Sequence, residues 1–364
     1  MHRLYLEPRT ERSAFAPLLV SALAVGFTII AGSGLFLIYG KSPIDGFYAI
    51  FIEPLLTRYG IGEILLKLGP LLLIAQGLAI GFRARVWNIG AEGQLIIGAI
   101  FAAMIAIRFD GSNSVLMLPA MILAGALGGM GWAGIAAWLR TRFNANEILV
   151  TFMLSSIALQ VLYYLVTGPL RDPQGFNFPQ SITFSAAATF PILLENTRVN
   201  ASLLIALVVS VVAWIFMQRS LMGYKLVVGG LAPQAAHYAG FGEKRAIWIA
   251  LLVGGAAAGV AGVGEVAGPL GMLQRTISPG YGFTAIIVAF LGGLHPIGIV
   301  FSSLLMALIY VGGDFARLSV GLPSAVTDIF QGLLLTFYLA SSLLLTHRLR
   351  LRRADRSLVA EAAE

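Results

Sequence analysis

Two stretches of this chain carry no Asp, Glu, Lys or Arg for far longer than a soluble fold tolerates. Ser13 to Gly40 is uncharged over 28 positions, and Thr276 to Gly313 over 38. About 20 apolar residues suffice to cross the hydrocarbon core of a bilayer. Inside it the chain must satisfy its own backbone hydrogen bonds. Composition agrees, with 58% of the 364 residues hydrophobic and 11% charged, against about 25% charged in a soluble domain. The expected class is an all-α polytopic membrane protein. Its 42 glycines suit close-packed helices with breaks. No cysteine is present, which excludes disulfides, thiolate metal sites and a Cys nucleophile. The net charge of +7 reads as basic loops on the cytoplasmic side, not as a nucleic-acid surface.

The basic start followed by Ser13–Gly40 exceeds the roughly 7–15-residue core of a signal peptide, so it is expected to be a retained first helix. Uncharged runs place helices near 14–38, 62–82, 89–107, 115–139, 147–167, 200–217 and 246–265. The Gly292–Gly298 turn, GGLHPIG, splits the long uncharged run into helices near 281–292 and 296–311. A last helix lies near 323–346. About ten spans result, in a single transmembrane domain of residues 1–364, membrane-embedded over about 14–346. With the N-terminus inside, 16 of 24 Lys and Arg residues fall on the cytoplasmic side; the reverse leaves 8. Both tails, 1–13 and 347–364, are therefore expected in the cytoplasm. Helices 2–5 and 7–10 then have opposite polarity, as an inverted repeat would.

One stretch breaks the apolar pattern. RVWNIGAEGQLIIGA, Arg85–Ala99, sets Asn88, Glu92 and Gln94 among glycines between two apolar runs. Such a stretch must sit at a boundary, inside protein or on a water-filled cavity. Asn88, Glu92 and Gln94 are candidates for a translocation path or a helix break. A carboxylate at bilayer depth is a functional candidate. The plain alternative is a cytoplasmic turn with Glu92 paired to Arg83 or Arg85. Amides offer donors and acceptors to a solute, whereas a carboxylate matches an uncharged solute poorly, so Glu92 is read as holding the break.

The same stretch, GFRARVWNIGAEGQLIIGA, resembles the signature of permease subunits of bacterial ATP-binding-cassette (ABC) importers for nucleosides and simple sugars. FNANEILVTFMLSSIA (143–158), GGLAPQAAHYAGF (229–241) and GYGFTAIIVAFLGGLHPIGIV (280–300) resemble further blocks of that family, in order. The Glu-Gly-Gln and Pro-Gln-Ala-Ala forms resemble the nucleoside-type branch. Ser155–Ser156 stands where many relatives carry Asn-Tyr. The resemblance implies a permease that translocates nucleosides or related small polar solutes across the inner membrane. It also implies a separate ATPase subunit, a second permease subunit, identical or paralogous, and an extracytoplasmic substrate-binding protein. Alternatives are a permease for ribose-like sugars and an ion-coupled secondary transporter.

Between Gln218 and Arg245 lies the longest basic loop. Pro233 suits a first helical turn and Gly240 a helix stop. Pro233, Ala235, Ala236, Tyr238 and Gly240 form a candidate coupling helix for the ATPase, with the alanines as a close-packing surface and Tyr238 as an anchor. No Gly-x-x-x-x-Gly-Lys-[Ser/Thr] or His-Glu-x-x-His pattern occurs. The chain is expected to be no enzyme, with no cofactor and no metal. Other polar candidates have plain roles. Asp328 is expected to pair with Arg317, Glu265 to be solvated at the outer surface, and Glu147 to sit at a helix start. Phe176, Phe178, Tyr281 and Phe283 are stacking candidates, against the usual role of interfacial anchors.

Overall fold

The computed structural model describes residues 2–8 and 16–353. The chain divides into two compact units, residues 1–47 with 317–364, and residues 48–316. Of the expected tails, residues 9–13 and 354–364 lie outside the described residues.

The smaller unit holds β1 (His2–Pro8), α1 (Ala16–Ile38), α13 (Ala325–Thr346) and β2 (His347–Arg353). A bend of 120° joins α1 to α2 (Pro43–Phe51). α1 packs on α13, where Phe36 stacks on Phe330 and Phe47 meets both edge-on. β1 and β2 pair antiparallel, His2 opposite Arg353 and Pro8 opposite His347. This ribbon is the one departure from the all-helical expectation among the described residues.

The larger unit contains α3 (Arg58–Arg83), α4 (Ala91–Arg108), α5 (Met117–Phe143), α6 (Glu147–Thr167) and α7 (Ser202–Arg219). Two short helices, α8 (Leu221–Leu231) and α9 (Pro233–Tyr238), precede α10 (Glu243–Glu265), α11 (Tyr281–Leu291) and α12 (Pro296–Ser319). α10 is the hub, packed on α3, α4 and α5. Its Gly255 abuts Gly129 of α5, and Gly98 of α4 abuts Gly259. Between helices in lipid there is no hydrophobic drive, so close backbone approach by small residues supplies the packing. α3 is buried along most of its length, whereas α6 and α7 turn most of their surface outward.

Among the described residues, seven helices are long and apolar enough to cross a bilayer, or eight if the bent α1–α2 pair counts as one span. Ten complete crossings are therefore more than the structure supports. The expected eighth helix exists as α11, but its 11 residues reach only about 16 Å, half the thickness of a hydrocarbon core.

Candidate functional site: the polar break and the short-helix stub

α3 ends at Arg83 and α4 begins at Ala91. The seven residues between are non-helical, and Arg85 adopts a left-handed conformation, φ 56°. The break is not a surface turn. Asn88 Nδ2 lies 3.1 Å from where a Cβ on Gly254 would stand. Gly254 is eleven residues from either end of α10, so the break sits level with the middle of the hub helix.

Its polar groups are consumed locally. Asn88 Nδ2 donates to Gln94 Oε1 at 2.9 Å, and Gln94 Nε2 donates to Asn88 Oδ1 at 3.0 Å. Asn88 Oδ1 also accepts from the Gly90 N–H at 3.0 Å. Both side chains are buried, 3% and 1% exposed. The first N–H groups of a helix have no partner within it, and here α6 supplies two hydroxyls. Thr151 Oγ1 accepts from the Ile89 N–H at 3.1 Å and Ser155 Oγ from the Gly93 N–H at 3.2 Å. A Cβ on Gly93 would stand 2.6 Å from the Ser155 Cα, so only glycine admits this approach.

Glu92 points across the unit to α11. Its Oε2 accepts from the Gly282 N–H at 2.7 Å, and the Ser278 side chain and Gly280 backbone also bond its carboxylate. A carboxylate at a helix N-terminus meets both unpaired donors and the positive end of the dipole. A Cβ on Gly282 would collide with the Glu92 backbone. No ion pair forms with Arg83 or Arg85. Ion pairs form instead between Glu147 and Arg140 at 3.3 Å and between Glu63 and Arg198 at 2.6 Å. Glu147 follows Asn146, whose side chain caps α6 by accepting from the Ile148 and Leu149 N–H groups.

Beyond α10, the chain is covered by the Gly168–Ala201 connection. The Phe190 N–H donates to Ala267 O, Phe184 to Gly271 O and Ser181 to Leu273 O, all within 2.7–2.8 Å. Glu265 is consequently buried, 5% exposed, instead of solvated as expected. Arg198 of the same connection grips Glu63 of α3 with two bonds, 2.9 and 2.6 Å, and this carboxylate holds the guanidinium pKa above its ordinary value. Tyr281 is fully buried under Lys67, whose Nζ lies 5.3 Å from the ring centroid. Phe176 and Phe178 are exposed, 93% and 64%. Asp328 sits exposed in the first turn of α13.

The candidate coupling segment forms α9, with Pro233 at its start and Gly240 at φ +74° after it. Its alanines do not share one face. Ala236 is buried, 4% exposed, over a cavity of about 160 Å³ lined by Ala84, Leu226, Phe241 and Ile249, among others. Pro233, Ala235, Ala239 and Gly240 are exposed, and Tyr238 is 97% exposed. The preceding α8 rests on the start of the break, where a Cβ on Gly230 would collide with the Arg83 carbonyl. Ala235 and Tyr238 are thus on the exposed side of the stub, while Ala236 packs it against its own chain.

Residues 60–339 match the family described as branched-chain amino acid transport system / permease component. The chain belongs to that family. A glucose ABC transporter permease protein of Haloferax volcanii is 33% identical over 95% of this chain and 93% of its own length. A guanosine ABC transporter permease protein of Bacillus subtilis is 31% identical over 89% and 93%. A nucleoside ABC transporter permease protein of Lactococcus lactis is 29% identical over 88% and 90%. Among solved structures, PsaBC from Streptococcus pneumoniae in complex with Fab covers 82% of this chain and 93% of that one at 13% identity and TM-score 0.46, a likeness too remote to establish a shared fold. The permease is a multi-pass component of an ABC transporter, not itself an enzyme, and membership implies an ATPase subunit and a substrate-binding protein.

Sequence reasoning singled out Asn88, Glu92 and Gln94 but missed Thr151 and Ser155, which accept from the Ile89 and Gly93 N–H groups of the same break, and Ser278 and Gly282, which bond Glu92. The signals were present in the Asn-Glu-Ile and Gly-Tyr-Gly blocks. Only the fold reveals that they meet the break.

Proposed function

We propose that this permease carries nucleosides or related small uncharged polar solutes across the inner membrane, toward the cytoplasm, with a second permease subunit completing the path. Simple sugars are the second choice, and the glucose-transporting relative from Haloferax favours them. The family description mentions branched-chain amino acids, but the three relatives above are named for glucose, guanosine and nucleosides.

The observation that carries the mechanism is the continuity from stub to break. α9 offers Ala235 and Tyr238 to a soluble ATPase, and its Ala236 shares a cavity with Ala84 at the end of α3. α8 touches the backbone of Arg83 through Gly230. Two residues past Val86 begins the Asn88–Gln94 pair, and Glu92 then reaches the N-terminus of α11. ATP-driven motion of α9 is in this way delivered to the centre of the span. Asn88, Glu92 and Gln94 serve as the joint of that linkage, since their bonding groups are engaged with one another and with backbone. That engagement also counts against an ion-coupled carrier using Glu92. Both ends lie in the cytoplasm, a topology supported by the antiparallel β1–β2 pair, which puts the described terminal segments side by side. An inverted repeat of helices 2–5 and 7–10 remains part of this proposal, on helix polarity.

The test is uptake of labelled guanosine and glucose by vesicles holding the permease with its ATPase. ATP-dependent uptake of either supports the reading. Uptake that follows an imposed ion gradient and ignores ATP overturns it.

A further inference from the structure

The break uses up its own amides, so the groups that meet the solute must be found elsewhere. Across the seven spans, two exposed polar side chains lie at least seven residues from a helix end: Ser156 and Gln160, both on α6. Ser156 is nine residues from Glu147 and eleven from Thr167, near mid-bilayer. Neither side chain makes a hydrogen bond to another described residue. A carboxamide has two donors and one carbonyl acceptor, and hydrocarbon satisfies none of them. This face of α6 therefore does not meet lipid.

Its shape and chemistry narrow what it does meet. Ser156, Ile157, Gln160, Val161 and Tyr164, all on α6, line a shallow, open groove. No charged side chain lines it. Beside it on α6, Phe152 is 50% exposed and its ring centroid lies 6.3 Å from that of Phe283, itself 39% exposed. Phe283 follows Gly282, which Glu92 holds. The anchored carboxylate therefore fixes one wall of an aromatic pair next to the groove. A face with amide, hydroxyl and exposed rings but no charge suits an uncharged, hydroxyl-bearing solute with an apolar or aromatic face.

We infer that the α6 face carrying Ser156 and Gln160 is the solute-contacting wall of the translocation path, with Phe152 and Phe283 as its stacking surface. The inference deepens the proposed function and rests on it.

The native absence of cysteine makes the test direct. Single cysteines at 156, 160 and, as a lipid-side control, Val208 of α7 (61% exposed) are placed in the assembled transporter in cells. Each is treated with a charged, membrane-impermeant thiosulfonate. Cysteines at 156 and 160 are expected to react at least about tenfold faster than the control, and guanosine or glucose, whichever is transported, to slow them. Gln160→Leu is expected to raise KM about tenfold, the equivalent of one hydrogen bond, with abundance unchanged. Reaction at 160 no faster than at 208 assigns this face to lipid and overturns the inference. Reaction insensitive to solute, with unchanged KM in Gln160→Leu, overturns it equally. ATPase co-purification is read on the same variants, so that loss of the path assignment is distinguishable from loss of the ABC-permease reading.

Discussion

Glu92 and the Asn88–Gln94 pair show how a chain can place polar groups at bilayer depth without paying for them in stability. Glu92 satisfies the N-terminus of α11, and replacing it should expose that role. Glu92→Ala leaves buried N–H groups unpaired, at a cost of about 1–3 kcal/mol. Glu92→Gln keeps an oxygen acceptor and should lose less. Thermal unfolding in detergent, followed by size-exclusion, orders the three proteins; equal midpoints would remove the anchoring role. Asn88 and Gln94 bond each other twice, and Asn88 also accepts from the Gly90 N–H. Asn88→Ala and Gln94→Ala are expected to be strongly non-additive, with a coupling of about 0.5–3 kcal/mol, and to leave the KM of the transported solute unchanged. Additive losses would mean the pairing contributes nothing.

At the scale of elements, α9 separates an exposed side, proposed to meet the ATPase, from a self-packing side. Ala236→Glu inserts a charge into the buried side of the stub, and lower membrane abundance is the expected result. Tyr238→Ala changes an exposed ring. Its expected outcome is normal abundance with reduced ATPase co-purification and reduced transport. Unaltered co-purification for both Tyr238→Ala and Ala235→Trp would move the ATPase contact elsewhere. The Gly168–Ala201 connection is a second such element. Arg198→Ala strands Glu63, whose side chain is 8% exposed. Because Arg198 itself is half exposed, the loss should be about 1–3 kcal/mol, the scale of hydrogen bonds to a charged group, short of a fully buried pair. A Glu63→Gln/Arg198→Ala double variant should recover part of it in the same unfolding assay.

For the whole molecule, the basic residues and the β1–β2 pair bear on the same question. Cysteines introduced at position 4 and position 351, which face each other across the ribbon, should form a disulfide on oxidation. In intact cells they should resist an impermeant thiol reagent until the membrane is opened. Labelling from outside would reverse the proposed topology, and failure to cross-link would separate the two ends.

Much of this architecture is legible in the linear sequence, for a physical reason. A bilayer forces apolar, uncharged helices, so the length of an uncharged run marks a span, and α3 to α7, α10 and α12 all sit where such runs occur. The start of α6 at Glu147 and the Pro233–Gly240 stub were legible too, because helix ends are set by local chemistry. The half-span α11 was not. A run of 38 uncharged residues does not record how many of them are helical or how deep they lie. Nor did local pattern separate Ala236 from Ala235, since a six-residue helix has no periodicity long enough to name its buried face. Glu92 was visible as an anomaly, but its partner stands 190 residues away. Membrane depth, burial and long-range pairing depend on which helices meet. That is decided by backbone approach at Gly93, Gly230 and Gly282, contacts that exist only once the tertiary structure has formed.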